Sequence, residues 1–130
     1  MSGAAEQGHI EAIDHVQLAI PAGGEEQARH FYGGILGLPE REKPPALVRR
    51  GGVWFESAKL KLHLGVDPHF VPAKKAHVAF LVRGFQPIVQ RLRSAGCRVI
   101  DDDAIDGVIR IYTDDPFGNR LELLDVSPTT

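Results

Sequence analysis

The sequence predicts an α+β fold in which two βαβββ units form an open, curved mixed sheet around a cavity. Two segments begin alike, each a short β-rich run that opens on a histidine: residues 14–20 (DHVQLAI) and residues 76–82 (AHVAFLV). A helical pattern and then short strand-like segments follow each run. The same order of elements therefore occurs twice, which is the pattern of a duplicated unit.

Both histidine-led segments have the composition and alternation of β-strands. Side chains alternate across a strand, so Val16 and Leu18 lie on one face while His15 and Gln17 lie on the other. His77 opens the second segment in the same manner. The two histidines are thus predicted at equivalent places in the two units.

An amphipathic helix is predicted after each of these strands. The apolar residues follow the i, i+3, i+4, i+7 spacing, with Ala28, Phe31, Tyr32 and Ile35 in the first unit and Phe85, Ile88, Val89 and Leu92 in the second. Further strands are expected at residues 53–56 and 61–66, and then at 98–100, 108–113 and 120–126.

The chain is long enough for one hydrophobic core and too short for two independent domains, since it has 130 residues of which 43% are hydrophobic. We predict a disordered tail over residues 1–9 and a single domain over residues 10–130. Within that domain, module one is expected at residues 10–67 and module two at residues 74–127.

Composition excludes several classes of function. The net charge is −2 and the Lys and Arg residues are scattered, which argues against nucleic acid as a partner. No apolar run approaches the roughly 20 residues of a membrane-spanning helix. Cys97 is the single cysteine, and residues 1–8 lack the features of a signal peptide, so we expect a cytoplasmic protein with no membrane association.

Four polar residues are in matching positions of the two units. His15 and His77 are 62 residues apart (77 − 15), and His63 and Glu122 are 59 apart (122 − 63). A difference of three residues is what variation in loop length would produce. Glu122 lies between two leucines, where a carboxylate is costly unless it is paired or bound to a cation. A solvent-facing carboxylate and hydrogen-bonded structural histidines are the alternative interpretation.

Three motifs, taken together, resemble the glyoxalase/bleomycin resistance/dioxygenase superfamily, also called the vicinal oxygen chelate (VOC) superfamily. They are Asp14-His15-Val16, Phe31-Tyr32 followed by Leu36-Gly37-Leu38, and the segment 115–123 (DPFGNRLEL). The resemblance covers residues 13–126. It implies one divalent metal ion (Zn, Ni, Mn, Fe or Co) held by His15, His77, Glu122 and His63, with Glu122 and His63 as catalytic residues.

Residues beside the predicted ligands are candidates for contact with a small-molecule substrate. Gln17 shares the face of His15, Arg110 and Tyr112 share one face of a later strand, and Trp54 offers a flat apolar surface. Ordinary structural roles in the core, at an interface or at the surface are the alternative for each of them.

The resemblance implies a metal-dependent enzyme of lyase, isomerase or dioxygenase type, glyoxalase-like, that acts on a small oxygen-chelating metabolite or xenobiotic. A homodimer is also expected. The chain departs from glyoxalase I at His63, where that enzyme has a carboxylate or amide, and at Ala19 and Asp67, where it has glutathione-binding residues. The serine-rich potassium loop of fosfomycin-resistance enzymes is not found in residues 101–112. The alternative is a non-catalytic, small-molecule binding protein of the bleomycin-resistance type.

Overall fold

A computed structural model describes residues 7–126 of the chain. Most of the predicted disordered tail, residues 1–6, and the last residue of predicted module two lie outside the described residues, as does the rest of the C-terminus. Between residues 7 and 126, no helix is long and apolar enough to cross a lipid bilayer.

The first unit contains four strands and three short helical segments. Its elements are β1 (Val16–Ile20), α1 (Glu25–Ala28), a π-helical turn (Arg29–Ile35) that continues α1, β2 (Glu40–Arg41), a 3₁₀ helix (Pro45–Arg50), β3 (Val53–Glu56) and β4 (Lys61–Val66). The sequence did not predict β2 or the 3₁₀ helix. Strand β2 has only two residues, too few for a detectable alternation.

The second unit has four strands and one regular helix: β5 (Val78–Val82), α2 (Phe85–Ser94), β6 (Val99–Asp102), β7 (Arg110–Asp114) and β8 (Arg120–Asp125). The predicted bounds of β6 and β7 are displaced by one or two residues toward the N-terminus. Helix α2 begins two residues before Pro87, so the proline falls in the first turn, where its missing N–H costs no hydrogen bond.

The α+β class with two mixed sheets is confirmed. One sheet has the strand order β1-β4-β3-β2 and the other has the order β5-β8-β7-β6. Within each sheet the first and last strands of the unit are parallel, and the other pairs are antiparallel. The two sheets share no backbone ladder, and β1 and β5 are edge strands. Each unit therefore presents the outer edge of its first strand.

One face of each sheet packs against the helices and the other carries the candidate site residues. The buried face includes Phe55, Leu62, Leu64, Ile111, Leu121 and Leu123, each at most 1% exposed. These join Phe31, Tyr32, Val89 and Leu92 of the helices in one core cluster. The opposite faces carry His63 and Glu122, each 7% exposed.

A buried polar turn between β7 and β8 joins the two units. Asp115 accepts hydrogen bonds from the Tyr32 hydroxyl (2.7 Å), from the Asn119 side-chain amide (2.9 Å), and from the backbone N–H groups of Phe117 and Asn119. Asn119 also donates to the Ala19 carbonyl of β1, at 2.9 Å. Burial, reinforced by the Asp115 carboxylate, raises the pKa of Tyr32 well above its ordinary value. The turn is therefore a polar clamp between the units.

Gly52 places β3, and hence Trp54, beside β4. Its φ is +90°, and a β-carbon there would lie 2.1 Å from the Leu64 carbonyl oxygen. We expect Gly52→Ala to lower the free energy of unfolding by at least about 2 kcal/mol more than Gly96→Ala does. Gly96 also has a positive φ, of +80°, but open space around its Cα. Equilibrium urea unfolding of both variants measures the difference, and equal losses would contradict it.

Candidate functional site

The first half of the candidate site is a stack of rings on the face of the first sheet opposite the core. Trp54 and His63 are paired across β3 and β4, with ring centroids 3.9 Å apart and planes within 3°. His15 stacks near His63, at 4.5 Å between centroids. Gln17 is the register partner of His63 on β1. His15, His63, Gln17 and Trp54 are thus brought together, although strand alternation predicts a shared face only for His15 and Gln17.

Glu56 is a member of this half that sequence reasoning missed. Its Oε2 lies 3.2 Å from His63 Nε2, and its Oε1 accepts from Arg41 at 2.9 Å. The hydrogen bond with His63 and the charge of Arg41 hold the pKa of Glu56 below its usual range. Glu56 follows Trp54 by two residues on β3, so alternation along that strand could have revealed it.

His15 is oriented by a neighbouring carboxylate. Its Nδ1 lies 2.9 Å from Asp14 Oδ2, and this contact, with help from Lys61, lowers the pKa of Asp14. Asp14, His15 and Lys61 line a cavity of about 450 Å³, together with Arg50 and the stacked rings of Trp54 and His63. An imidazole whose Nδ1 is held in this way directs its Nε2 outward.

The second half consists of His77 and Glu122 on the face of the second sheet opposite the core. His77 Nδ1 lies 2.9 Å from the Lys75 carbonyl oxygen, and its Nε2 lies 2.9 Å from Glu122 Oε1. A carbonyl can only accept, so the contact with Lys75 favours the tautomer with the proton on Nδ1, in which a neutral His77 has its lone pair on Nε2. In that tautomer the lone pair faces the Glu122 carboxylate, an arrangement that a bound cation or a proton on Nε2 would stabilise.

Arg110 is joined to this pair. Its two terminal nitrogens donate to Glu122 Oε2 and to Asp102 Oδ2, each at 2.9 Å. The side chain of Arg110 is 14% exposed, and its Nε is buried without a hydrogen-bond partner. The hydrogen bond to Glu122 raises the pKa of the guanidinium. The guanidinium is thus committed to two carboxylates, so its geometry favours holding Glu122 over contacting a substrate.

Tyr112 lies beside the same pair, in register with Glu122. His77 meets its ring edge at 5.8 Å between centroids, while Arg110 and Arg120 lie 5.7 and 5.0 Å from the ring centroid. All the predicted residues of the second unit are therefore on one face.

The two halves do not form one cluster within a single chain. In residues 7–126, no group of three or more His, Cys, Asp or Glu side chains is arranged to hold a metal ion. His15 and His63 lie together on the first sheet, and His77 and Glu122 lie together on the second. Each half has too few donors in place for a stable site, which takes at least three protein ligands.

An apolar groove lies between β1 and β5, the edge strands of the two sheets. Its volume is about 1010 Å³, and its lining includes residues 16–19 of β1 and residues 78–81 of β5. Ile13, Val71 and Leu81 at this groove are 81%, 76% and 76% exposed. Three large, exposed apolar side chains beside two unpaired strand edges are typical of an interaction surface.

Solved structures with the same fold are numerous. A glyoxalase family protein from Bacillus anthracis is 48% identical, covers 91% of this chain and 97% of its own, and has a TM-score of 0.86. A variant of the fosfomycin resistance protein FosX from Listeria monocytogenes, complexed with Mn(II) and 1S,2S-dihydroxypropylphosphonic acid, is 18% identical over 90% and 93% of the two chains, with a TM-score of 0.74. Lactoylglutathione lyase from Agrobacterium tumefaciens is 20% identical over 90% and 95%, with a TM-score of 0.64.

Family membership follows from the sequence match as well as from the fold. No curated protein sequence matches the chain at a significant level. The sequence model of the Glyoxalase/Bleomycin resistance protein/Dioxygenase superfamily matches residues 12–123, which is most of the chain. The chain belongs to the Glyoxalase/Bleomycin resistance protein/Dioxygenase superfamily.

Proposed function

We propose that this protein is a metal-dependent enzyme that acts on a small, oxygen-chelating metabolite or xenobiotic, and that its metal site is completed between two copies of the chain. The arrangement of His77 carries the proposal, because the lone pair of its Nε2 and the Glu122 carboxylate converge 2.9 Å apart. Two basic atoms in this position, with Nδ1 fixed by a backbone carbonyl, form half of a cation site.

The donor chemistry fits a divalent transition metal. Imidazole nitrogens and a carboxylate suit Mn, Fe, Co, Ni or Zn, and no thiolate is involved. The likeness to a FosX structure that contains Mn(II) supports a divalent ion of this kind. When bound, such an ion would polarise substrate oxygens and stabilise an oxyanion.

A second copy would bring the halves together. In the first sheet, His15 directly precedes the edge strand β1 and His63 is on the neighbouring strand β4. In the second sheet, His77 directly precedes the edge strand β5 and Glu122 is on the neighbouring strand β8. If edge β1 meets edge β5 of another chain, His15 and His63 adjoin His77 and Glu122 of the partner subunit. Twofold symmetry then gives two identical sites and covers the apolar edges, which supports a homodimer.

His63 is proposed to act as a metal ligand or as a base, and its contact with Glu56 supports such a role. When His63 Nε2 donates to the Glu56 carboxylate at 3.2 Å, the lone pair of the ring is on Nδ1. Glu56 then stabilises the imidazolium if His63 takes a proton from the substrate. Gln17, Trp54 and Tyr112 are the side chains that we propose to contact a substrate.

Elemental analysis and calorimetry test the metal premise. We expect chelator-treated protein to bind one divalent ion per chain when Mn, Ni, Co, Zn or anaerobic Fe(II) is added. Binding of none of these ions would refute the proposal. Non-catalytic binding of the bleomycin-resistance type would be favoured instead by tight binding of a large antibiotic that neither metal nor His77→Ala affects.

Arg110→Met tests the positioning of Glu122. Removing the guanidinium leaves Glu122 Oε2 and Asp102 Oδ2 without their donor, and the Glu122 carboxylate loses its fixed orientation. We expect metal affinity to fall by about 10- to 100-fold, the range for loss of a group that orients a ligand. Arg110→Lys should recover part of the loss because it keeps one donor. Calorimetric titration measures both, and unchanged affinity in Arg110→Met would contradict this role.

A further inference from the structure

Arg120 is a cation on the site face of the second sheet that forms no ion pair among residues 7–126. In the β7–β8 register it lies opposite Asp114, yet the Asp114 carboxylate is paired with Arg98 instead, with Arg98 Nε 3.2 Å from Asp114 Oδ2. Arg93 and Arg110, in the same unit, also face carboxylates. The carboxylate nearest to Arg120 in sequence register is thus already engaged by another arginine.

Tyr112 holds the Arg120 side chain in place. The guanidinium carbon is 5.0 Å from the centroid of the phenol ring, within the range of a cation–π contact. Such a contact consumes none of the guanidinium N–H donors in an ion pair, and these donors suit a planar or tetrahedral oxyanion. Arg120 is half-buried, so part of the residue remains accessible to a bound molecule.

Arg120 is also close to the candidate metal ligands. It precedes Glu122 by two residues on β8, so the two side chains are on one face with α-carbons about 7 Å apart. Both oxygens of Glu122 are occupied, by His77 and by Arg110. Glu122 is therefore engaged by other side chains and forms no ion pair with Arg120.

We propose that Arg120 binds an anionic oxyacid group of the substrate, a carboxylate or a phosphoryl group, while two adjacent substrate oxygens occupy the metal site. The proposal rests on the proposed function and narrows its substrate class. The substrate is then a small anion whose acidic group lies about one strand repeat, about 7 Å, from its chelating oxygens.

Three probes that share one chelating group test this. Catechol has two adjacent oxygens, 3,4-dihydroxybenzoate adds a carboxylate across the ring, and 3,4-dihydroxyphenylphosphonate adds a phosphonate there. On the Mn(II)-loaded dimer we expect calorimetry to show at least one of the two anions binding about tenfold more tightly than catechol. The tighter of the two identifies carboxylate or phosphoryl chemistry.

Matched arginine variants test whether Arg120 causes the preference for the anionic probes over catechol. Arg120→Gln should reduce this preference to about twofold or less, while the affinities for catechol and Mn(II) stay at the level of the unmodified protein. Arg93→Gln removes the same charge from an exposed pair with Asp101 and should leave the preference intact. Arg98→Gln frees Asp114 to pair with Arg120 and should weaken anion binding. A preference that persists in Arg120→Gln would overturn the proposal.

A metal-free arm separates this inference from the proposed function. Inorganic phosphate and benzoate are titrated into metal-free protein and followed by NMR. Arg120-dependent binding here, with no metal uptake, supports the anion site while the metal proposal fails. If metal and catechol bind but the binding of neither anion depends on Arg120, the proposed function is supported and the anion site is overturned.

Discussion

Glu122→Gln is expected to lower the affinity for a divalent ion by more than about 100-fold. The substitution keeps the shape of the side chain but removes the negative charge that faces His77 Nε2 at 2.9 Å. A neutral amide is a much weaker donor to a transition metal than a carboxylate. Activity should fall with metal occupancy, because a bound ion would supply the oxyanion stabilisation. Isothermal titration with Mn(II) and Ni(II) measures the change.

His69→Ala provides the control. His69 is an exposed loop residue whose backbone N–H, not its ring, is bonded to Asp67, so its loss should leave metal affinity unchanged. His77→Ala should match the loss in Glu122→Gln. Metal affinity within about threefold of the original protein in both site variants would show that the ion, if any, binds elsewhere.

Asp115→Ala is expected to lower the free energy of unfolding by about 3–4 kcal/mol. The carboxylate accepts four hydrogen bonds, and its removal leaves the buried Tyr32 hydroxyl and Asn119 amide short of a partner. Each buried polar group left unsatisfied costs about 1–3 kcal/mol. Since Tyr32 is in the first unit and Asp115 in the second, losing their hydrogen bond weakens the packing of the two units against each other. Equilibrium urea unfolding at fixed protein concentration measures it.

Tyr32→Phe is the matched variant for this turn. It removes one hydrogen bond together with its donor, so we expect a loss of only about 1 kcal/mol. A loss below about 1 kcal/mol in Asp115→Ala would contradict a clamp and would indicate that apolar packing alone joins the units.

The architecture could be predicted from the sequence because duplicated periodicity is local information. Strands β3 and β4 were predicted at the residues where they occur. Alternation also predicted one shared face for His15 and Gln17, which in the structure lies beside His63. Strand β2 could not be predicted, because its two residues pair with β3 only through tertiary contact. The segment 115–119 was recognised as a motif, but its role in joining the units depends on Tyr32, 83 residues away.

The candidate site was predictable only in part. Pseudo-symmetry between the units and the family resemblance gave four candidate donors but not the distances between them, because neither determines whether two units of one chain or of two chains adjoin. The engagement of Arg110 by Glu122 and Asp102 also depends on cross-strand register. Register is a property of the assembled sheet and is not contained in the spacing of one segment.

Mixing two inactive variants tests most directly whether the metal site is shared between copies. One chain carries His15→Ala and His63→Ala, and the other carries His77→Ala and Glu122→Gln. Each alone should bind no metal. After co-expression in equal amounts, random pairing makes about half of the dimers mixed, each with one intact site, so about a quarter of the sites should regain metal and activity. A mixture in which no metal binding returns would contradict a shared site and place all its ligands within one chain.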